Sequence, residues 1–324
     1  MKLYKSLLPA GALLAASTSL SCAAETWDMP TAYPASNFQT VNAQDFSKCV
    51  ADGTKGDISI IIHPNGSLFK GNDIKRAVQT GQTQIGERLL SSHENENALF
   101  GTDSIPFIAT SYDDSVKLYH AAKPELEKLL EDQNLKLVYS VPWPPQGLFF
   151  NKDVNAVADM AGVKVRSYNK ATARLAELTS MVPISIEAAE ISQAMAAGVI
   201  NSLITSAVTG QDSKVWEQLD HFYVVNAWMP RNAVIVNKTV WDGLSPDKQK
   251  VFDDCAAKAE EAGIAKSKAA NEEALAALKA NGMKVLDPSS KLSGELTQIG
   301  ATMADEWAKR AGDAGATVLK TFRN

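Results

Sequence analysis

Asp159-Met-Ala-Gly-Val-Lys-Val-Arg166 is the stretch that decides the fold. After Gly162 the Val-Lys-Val alternation has the period of a β-strand. The strand ends on a guanidinium. In open α/β sheets, ligands bind outside the carboxyl ends of the strands. Arginine offers a planar fork of donors that fits a carboxylate through two parallel bonds. Further on, Ala194-Met-Ala-Ala-Gly-Val-Ile-Asn201 reads as a helix end, a Gly stop and a second strand. A lone Arg at a strand end is more often a solvated charge or half of a structural ion pair. Arg166 therefore gains weight only from the rest of the chain.

The same alternation of strand and helix runs outward in both directions. Ile58-Ser-Ile-Ile-Ile62 and Leu135-Lys-Leu-Val-Tyr139 are β-branched or alternating strands. Lys75 to Thr80 is a helix stopped by Gly81, and Asn169 to Leu178 is another. Asp113 to Asp132 is charged amphipathic helix, expected to break or kink at Pro124. Strands are expected at Val182 to Ile186, Ile200 to Thr205, Phe222 to Val225 and Ala233 to Asn237, with a helix over Glu187 to Ala197. This order predicts α/β architecture with mostly parallel sheets.

Ser245-Pro246 is a helix start, with Ser as N-cap and Pro at the first helical position. From there to Ala280 no further Pro occurs, and Gly263 is the only glycine. A continuous helix of that length reaches roughly 50 Å at 1.5 Å per residue. That exceeds one small domain and predicts a helix running across two lobes. Its apolar residues hold no heptad register, which argues against a coiled-coil arm. A strand (Met283 to Leu286) and a terminal helix (Glu295 to Arg310, ended near Gly312) complete the chain.

The N-terminus has a basic start (Met1-Lys-Leu-Tyr-Lys5), an apolar stretch from Leu7 to Leu20, and small residues at Ser21-Cys-Ala-Ala24. This is the pattern of a cleaved secretory leader over 1–24. Ser19-Leu20-Ser21 fits a lipidation box before Cys22 poorly. Net charge is −5, and −7 once Lys2 and Lys5 leave with the leader. The absence of a basic patch argues against nucleic acid. Beyond the leader only Cys49 and Cys255 remain. In an oxidising compartment two cysteines can pair; two buried free thiols are the alternative.

Chemistry-bearing motifs are few. His63, His93, His120 and His221 are dispersed, without zinc spacing, and His63 and His221 read as loop residues. No GxSxG, P-loop or GxGxxG occurs. Ser167-Tyr-Asn-Lys170 matches SxxK, but no Ser-Asp-Asn or Lys-Thr-Gly follows to support an acyl-enzyme. Aromatics in loops (Trp143, Phe149, Phe150, Trp228) are either packing residues or the apolar walls of a cleft. No cofactor is expected.

The order of these features resembles the substrate-binding proteins of TRAP (tripartite ATP-independent periplasmic) transporters, of the dicarboxylate-binding DctP type. The resemblance rests on Ile74 to Gly86, Asp103-Ser-Ile-Pro-Phe107, Gln146-Gly147 through Asn151-Lys152, Ala158 through Arg166, Gln193 through Asn201, and Asn237-Lys-Thr-Val-Trp-Asp-Gly-Leu-Ser-Pro-Asp247. It spans nearly the whole chain after the leader. It implies a two-lobe Venus flytrap with the long helix across both lobes. Lobe I is expected over 25–147 plus 234–265, and lobe II over 148–233 plus 266–324. The resemblance also implies that Arg166 pairs with the ligand's carboxylate, and that Asn169, Thr205 and Ser206 supply polar contacts. Tyr33, Arg88, Trp143, Gln146 and Trp228 complete the candidate ligand set.

Two departures shape the ligand expectation. Many members carry a second Arg in a Gly-Phe-Arg piece, where this chain has Gly147-Leu-Phe149, and Asn201-Ser202 replaces their common Asp-Gly. One guanidinium suits one carboxylate, and loop aromatics suit an apolar body. The expectation is a monomeric periplasmic receptor for an organic monocarboxylate, with an aromatic or hydrophobic acid favoured over C4-dicarboxylates and sugar acids. It would deliver its ligand to the membrane subunits of a TRAP-type transporter. A secreted hydrolase or lyase, or a sensor component that presents its ligand to a membrane partner, are the alternatives.

Overall fold

The computed structural model describes residues 24–324. The expected leader, Ala24 apart, and Cys22 lie outside the described residues. The first half contains β1 (Glu25–Pro30), α1 (Phe38–Gly53), β2 (Ile58–His63), α2 (Ile74–Gln79), β3 (Ile85–Leu89), α3 (Tyr112–Glu131) and β4 (Leu135–Pro142). Next come β5 (Gly147–Phe150), β6 (Lys164–Ser167), α4 (Lys170–Leu178), β7 (Val182–Ser185), α5 (Ile191–Ala196), β8 (Ser202–Thr205), α6 (Ala207–Asp212) and β9 (His221–Tyr223). The chain ends with β10 (Arg231–Asn237), α7 (Lys238–Asp242), α8 (Pro246–Ala280), β11 (Lys284–Leu286) and α9 (Ser290–Arg323).

Two lobes result. In one, β1 pairs in parallel with β2, and β10 lies antiparallel between β3 and β4. In the other, a six-stranded sheet has the order β11-β9-β5-β8-β6-β7. The sheets are mixed rather than mostly parallel. The strands that follow the two crossings between lobes, β5 and β10, run antiparallel to both their neighbours. The chain enters each sheet there from the other lobe, so no right-handed crossover helix dictates direction.

The two crossing segments, 143–146 and 224–230, hydrogen-bond to each other. Trp143 N donates to Pro230 O at 2.7 Å, and Gln146 N donates to Trp228 O at 2.9 Å. The pair forms the connection about which one lobe can move against the other.

The long helix forms as its sequence predicts. The Ser245 side chain accepts from Lys248 N, and Pro246 takes the first turn, where no backbone donor is needed. α8 packs on α1 and β4 in the first lobe and on α6 and β11 in the second. Its one glycine has a steric reason. A Cβ at Gly263 would collide with the Val141 side chain of β4. Next to it, Asn42 of α1 donates to the Ala259 carbonyl at 3.0 Å, fixing the close approach. α1 and α8 are also joined covalently through Cys49 and Cys255.

Three local expectations change. α3 continues through Pro124 instead of breaking there. Pro costs about 3 kcal/mol in a helix interior. Here that loss is offset by burial of Leu118, Tyr119, Ala122 and Leu130 on one face, together with the Ser111 cap. α9 is longer than expected. Gly312 takes φ 56° and interrupts the helix, which then resumes to Arg323. His63 and His221 lie in strands rather than loops, each bonded to aspartate: His63 to Asp28, His221 to Asp153 and Asp220.

Candidate functional site

A small pocket lies between the lobes, beside the crossing segments, with about 300 Å³ of non-atom space that runs out into solvent. Tyr33, Leu89, Trp143 and Pro230 face it from the first lobe and the crossings. Arg166, Tyr168, Thr205 and Thr209 face it from the second.

Arg166 is delivered as its strand predicts. β6 carries it to the carboxyl end, where it is only 5 % exposed. Its Nε donates to the Ile186 carbonyl at 3.0 Å. Its guanidinium lies 4.8 Å from the Tyr168 ring centroid, a cation–π arrangement. Among the described residues the Nη groups have no hydrogen-bond partner. Burial lowers the guanidinium to about 10, so it remains charged at neutral pH. A buried cation with both Nη groups uncommitted is an anion site in a low-dielectric setting.

Other polar groups have fixed directions. The Trp228 indole, a donor only, donates to Tyr168 Oη at 3.1 Å. Tyr168 must then donate onward, and does so to Gln146 Oε1 at 3.0 Å. Gln146 Nε2 in turn donates to the Pro144 carbonyl at 2.8 Å. On the opposite wall Trp143 Nε1 donates to Asn232 Oδ1 at 2.8 Å, and Tyr33 Oη donates to the same oxygen at 3.5 Å. Asn232 Nδ2 donates to the carboxyl of Glu87.

Tyr33, Trp143, Gln146, Arg166 and Thr205 thus come together at one pocket. The remaining candidates do not line it. Trp228 is fully buried one layer behind, supporting Tyr168. Phe149 is not a cleft wall: it packs on Phe222 with ring centroids 4.3 Å apart, inside the sheet core. Ser206 caps α6 by accepting from Thr209 N. Asn169 caps α4, and its Nδ2 reaches Ser91 and Ser104 of the first lobe at 3.1 and 3.2 Å. It ties the lobes together instead of facing the pocket. Arg88 is buried beside the pocket, where its Nη2 donates to Asn72. The Asn72 backbone N–H meets Glu187 of the second lobe at 3.0 Å.

Four contributors escape a sequence reading. Tyr168 had a signal, since two residues after Arg166 it falls on the same side of an extended strand. Thr209 had none. Glu87 is a lone acid within the buried strand Ile85-Gly-Glu-Arg-Leu89, and Asn232 becomes its partner only through the β3–β10 pairing.

Burial pushes the Glu87 carboxyl up to about 7. An unfolded glutamate loses its proton near 4.5, whereas the folded one keeps it to about 7. Between these values the folded chain binds more protons, so this group lowers stability as pH rises through the window. Glu87→Gln keeps an oxygen for Asn232 and removes the titration. Urea unfolding at pH 5 and pH 8 should show the variant gaining on wild type by up to roughly 3 kcal/mol at the higher pH. A variant-to-wild-type difference that stays constant with pH would exclude this origin.

A second cavity lies within the first lobe, lined by residues that include Leu118, Tyr119 and Arg231. Its guanidinium differs from Arg166 in being occupied. Arg231 donates to Ser140 Oγ at 3.1 Å, Ser140 O at 2.7 Å and Ser115 Oγ at 3.4 Å. It also lies 4.2 Å from the Tyr119 ring centroid. The pocket between the lobes, unlike this cavity, joins the uncommitted Nη groups of Arg166 to residues of both lobes. Among the described residues no cluster of His, Cys, Asp or Glu could hold a metal ion, and no helix is long and apolar enough to cross a membrane.

Solved structures share this fold over nearly their whole length. A marine metagenome TRAP solute binding protein specific for pyroglutamate, from an unidentified microbe, is 47 % identical. It superposes with a TM-score of 0.91 over 93 % of this chain and 99 % of its own. DctP6 of Bordetella pertussis, an extracytoplasmic solute receptor binding pyroglutamic acid, is 45 % identical with a TM-score of 0.91, over 92 % and 99 %. A monocarboxylate 2-oxoacid-binding periplasmic protein of Nostoc sp. (strain PCC 7120) is 24 % identical over 88 % of this chain and 79 % of its own. The match to the family itself covers residues 30–310. The chain belongs to DctP, family 7 of the bacterial extracellular solute-binding proteins, and is a receptor of the TRAP type rather than an enzyme.

Proposed function

We propose that the mature chain captures a small monocarboxylate of the 5-oxoproline (pyroglutamate) type outside the cytoplasm and hands it to the membrane subunits of a TRAP transporter. The observation that carries this reading is Arg166, buried with uncommitted Nη groups in a pocket between the lobes. The 47 % and 45 % identical proteins that bind pyroglutamate support the choice of acid. Of the loop aromatics expected as cleft walls, Phe149 and Trp228 are packed away from the pocket, and the rings that line it are Tyr33, Trp143 and Tyr168.

The mechanism is hinge closure. A ligand that touches both lobes favours the closed state by its difference in affinity for the two states. The carboxylate takes the Arg166 fork from one side while Tyr33 and Trp143 close from the other. Closure strips water from the ion pair, and its attraction exceeds that of a surface pair.

Thermal denaturation with a panel of acids tests the reading, because a ligand of the folded state raises the melting temperature. Pyroglutamate should give the largest rise, ahead of benzoate, succinate, glucuronate and branched 2-oxo acids. A larger rise with succinate or glucuronate would show that the pocket serves a different acid.

A further inference from the structure

We propose that Tyr33 is a specificity-determining residue that presents a hydrogen-bond acceptor beside the carboxylate anchor, so that the pocket selects acids with an N–H or O–H donor on the α position. This rests on the monocarboxylate reading above and adds what is recognised next to the carboxylate.

Three neighbours fix the direction of the tyrosine proton. The Trp143 indole has only a donor to offer, so the group it meets 2.8 Å away must be the oxygen of the Asn232 amide. The amide NH₂ then faces the other way, onto Glu87, whose carboxyl accepts. Asn232 is thereby locked from both ends. Its Oδ1 also takes the hydrogen bond of the Tyr33 hydroxyl, at 3.5 Å. The oxygen can only accept, so Tyr33 donates its single proton there. What the hydroxyl has left is lone pairs.

Those lone pairs sit where a second ligand group falls. Tyr33 lines the same pocket as Arg166, and its hydroxyl lies within electrostatic reach of the guanidinium. In pyroglutamate the ring N–H is borne by the atom next to the carboxylate-bearing carbon. A carboxylate seated on Arg166 therefore brings that N–H to its immediate vicinity. A 2-oxo acid would bring a carbonyl oxygen instead, and two acceptors would face each other in a buried site. A buried acceptor left unmatched is costly, and a site built around a ligand donor rejects analogues that lack it.

The test compares L-pyroglutamate with 3-oxocyclopentane-1-carboxylate, in which a methylene replaces the ring N–H. Both are titrated calorimetrically into the wild-type protein and into Tyr33→Phe. The wild type should prefer the lactam by about 100-fold or more. In Tyr33→Phe the preference should shrink to a few-fold, with the ring still packed against Trp143. Equal binding of the two ligands to wild type, or an undiminished preference in Tyr33→Phe, overturns the inference while leaving the choice of acid standing. Failure of both ligands to bind the wild type overturns the choice of acid and this inference with it.

Discussion

Arg166→Ala should abolish measurable pyroglutamate binding in a calorimetric titration that gives a clear isotherm with the wild type. Truncating one partner of a buried, hydrogen-bonded charge pair costs about 2–5 kcal/mol or more, or roughly 30-fold to several thousand-fold in affinity. Arg166 fits that case closely, with its guanidinium buried and its Nη groups uncommitted. Arg231 is occupied by Ser140 and Ser115 in another cavity, and Arg88, which does not line the pocket, donates through its Nη2 to Asn72. Arg166→Lys keeps the charge but loses both the fork and the Nε bond to Ile186, so it should retain only a fraction of the affinity. Circular dichroism and melting temperature establish that each variant is folded. Affinity near the wild-type value in folded Arg166→Ala would remove the anchor from the site.

The anchor was legible because a strand's period is short and local. Three alternating residues after Gly162 are enough to predict both β6 and the place where its last side chain emerges. The long helix was legible for a similar reason, since Ser245-Pro246 and the absence of breakers are signals carried by the segment itself. Other features depend on partners that no local pattern reveals. The sheets were expected to be mostly parallel because strand–helix alternation usually means crossover connections. β5 and β10 instead enter from the opposite lobe and run antiparallel to both their neighbours. Trp228 and Phe149 look like any loop or strand-end aromatic, and only the packing shows that one supports Tyr168 and the other stacks on Phe222. Asn169 and Ser206 carry two signals at once. Both are helix N-caps, and a capping side chain is already occupied. The Glu87–Asn232–Tyr33 chain was the least accessible, because it joins residues brought together by the antiparallel register of β3 and β10 and by the N-terminal segment.

The double variant Cys49→Ser/Cys255→Ser should lose substantial stability and keep its ligand affinity. The two cysteines are 206 residues apart in sequence and bonded in the structure. On the chain-entropy model a loop of that length restrains the unfolded chain by about 5 kcal/mol, an upper figure, since measured losses run ~2–5 kcal/mol. The bridge ties α1 to the first half of α8, the part of that helix packed on β4 and on the close contact at Gly263. Neither cysteine lines the pocket between the lobes. Affinity for pyroglutamate at 25 °C should accordingly stay within about two-fold of wild type, because an effect acting through the unfolded state leaves native contacts in place. Alkylation followed by mass measurement supplies the chemical control. The chain from residue 25 onward should take up no label under denaturing conditions without reductant, and two labels after reduction. Two labels without reductant, or a melting temperature unmoved by the double substitution, would show that the fold does not depend on this cross-link. A parallel loss of affinity would instead place the α1–α8 junction in the closing motion itself.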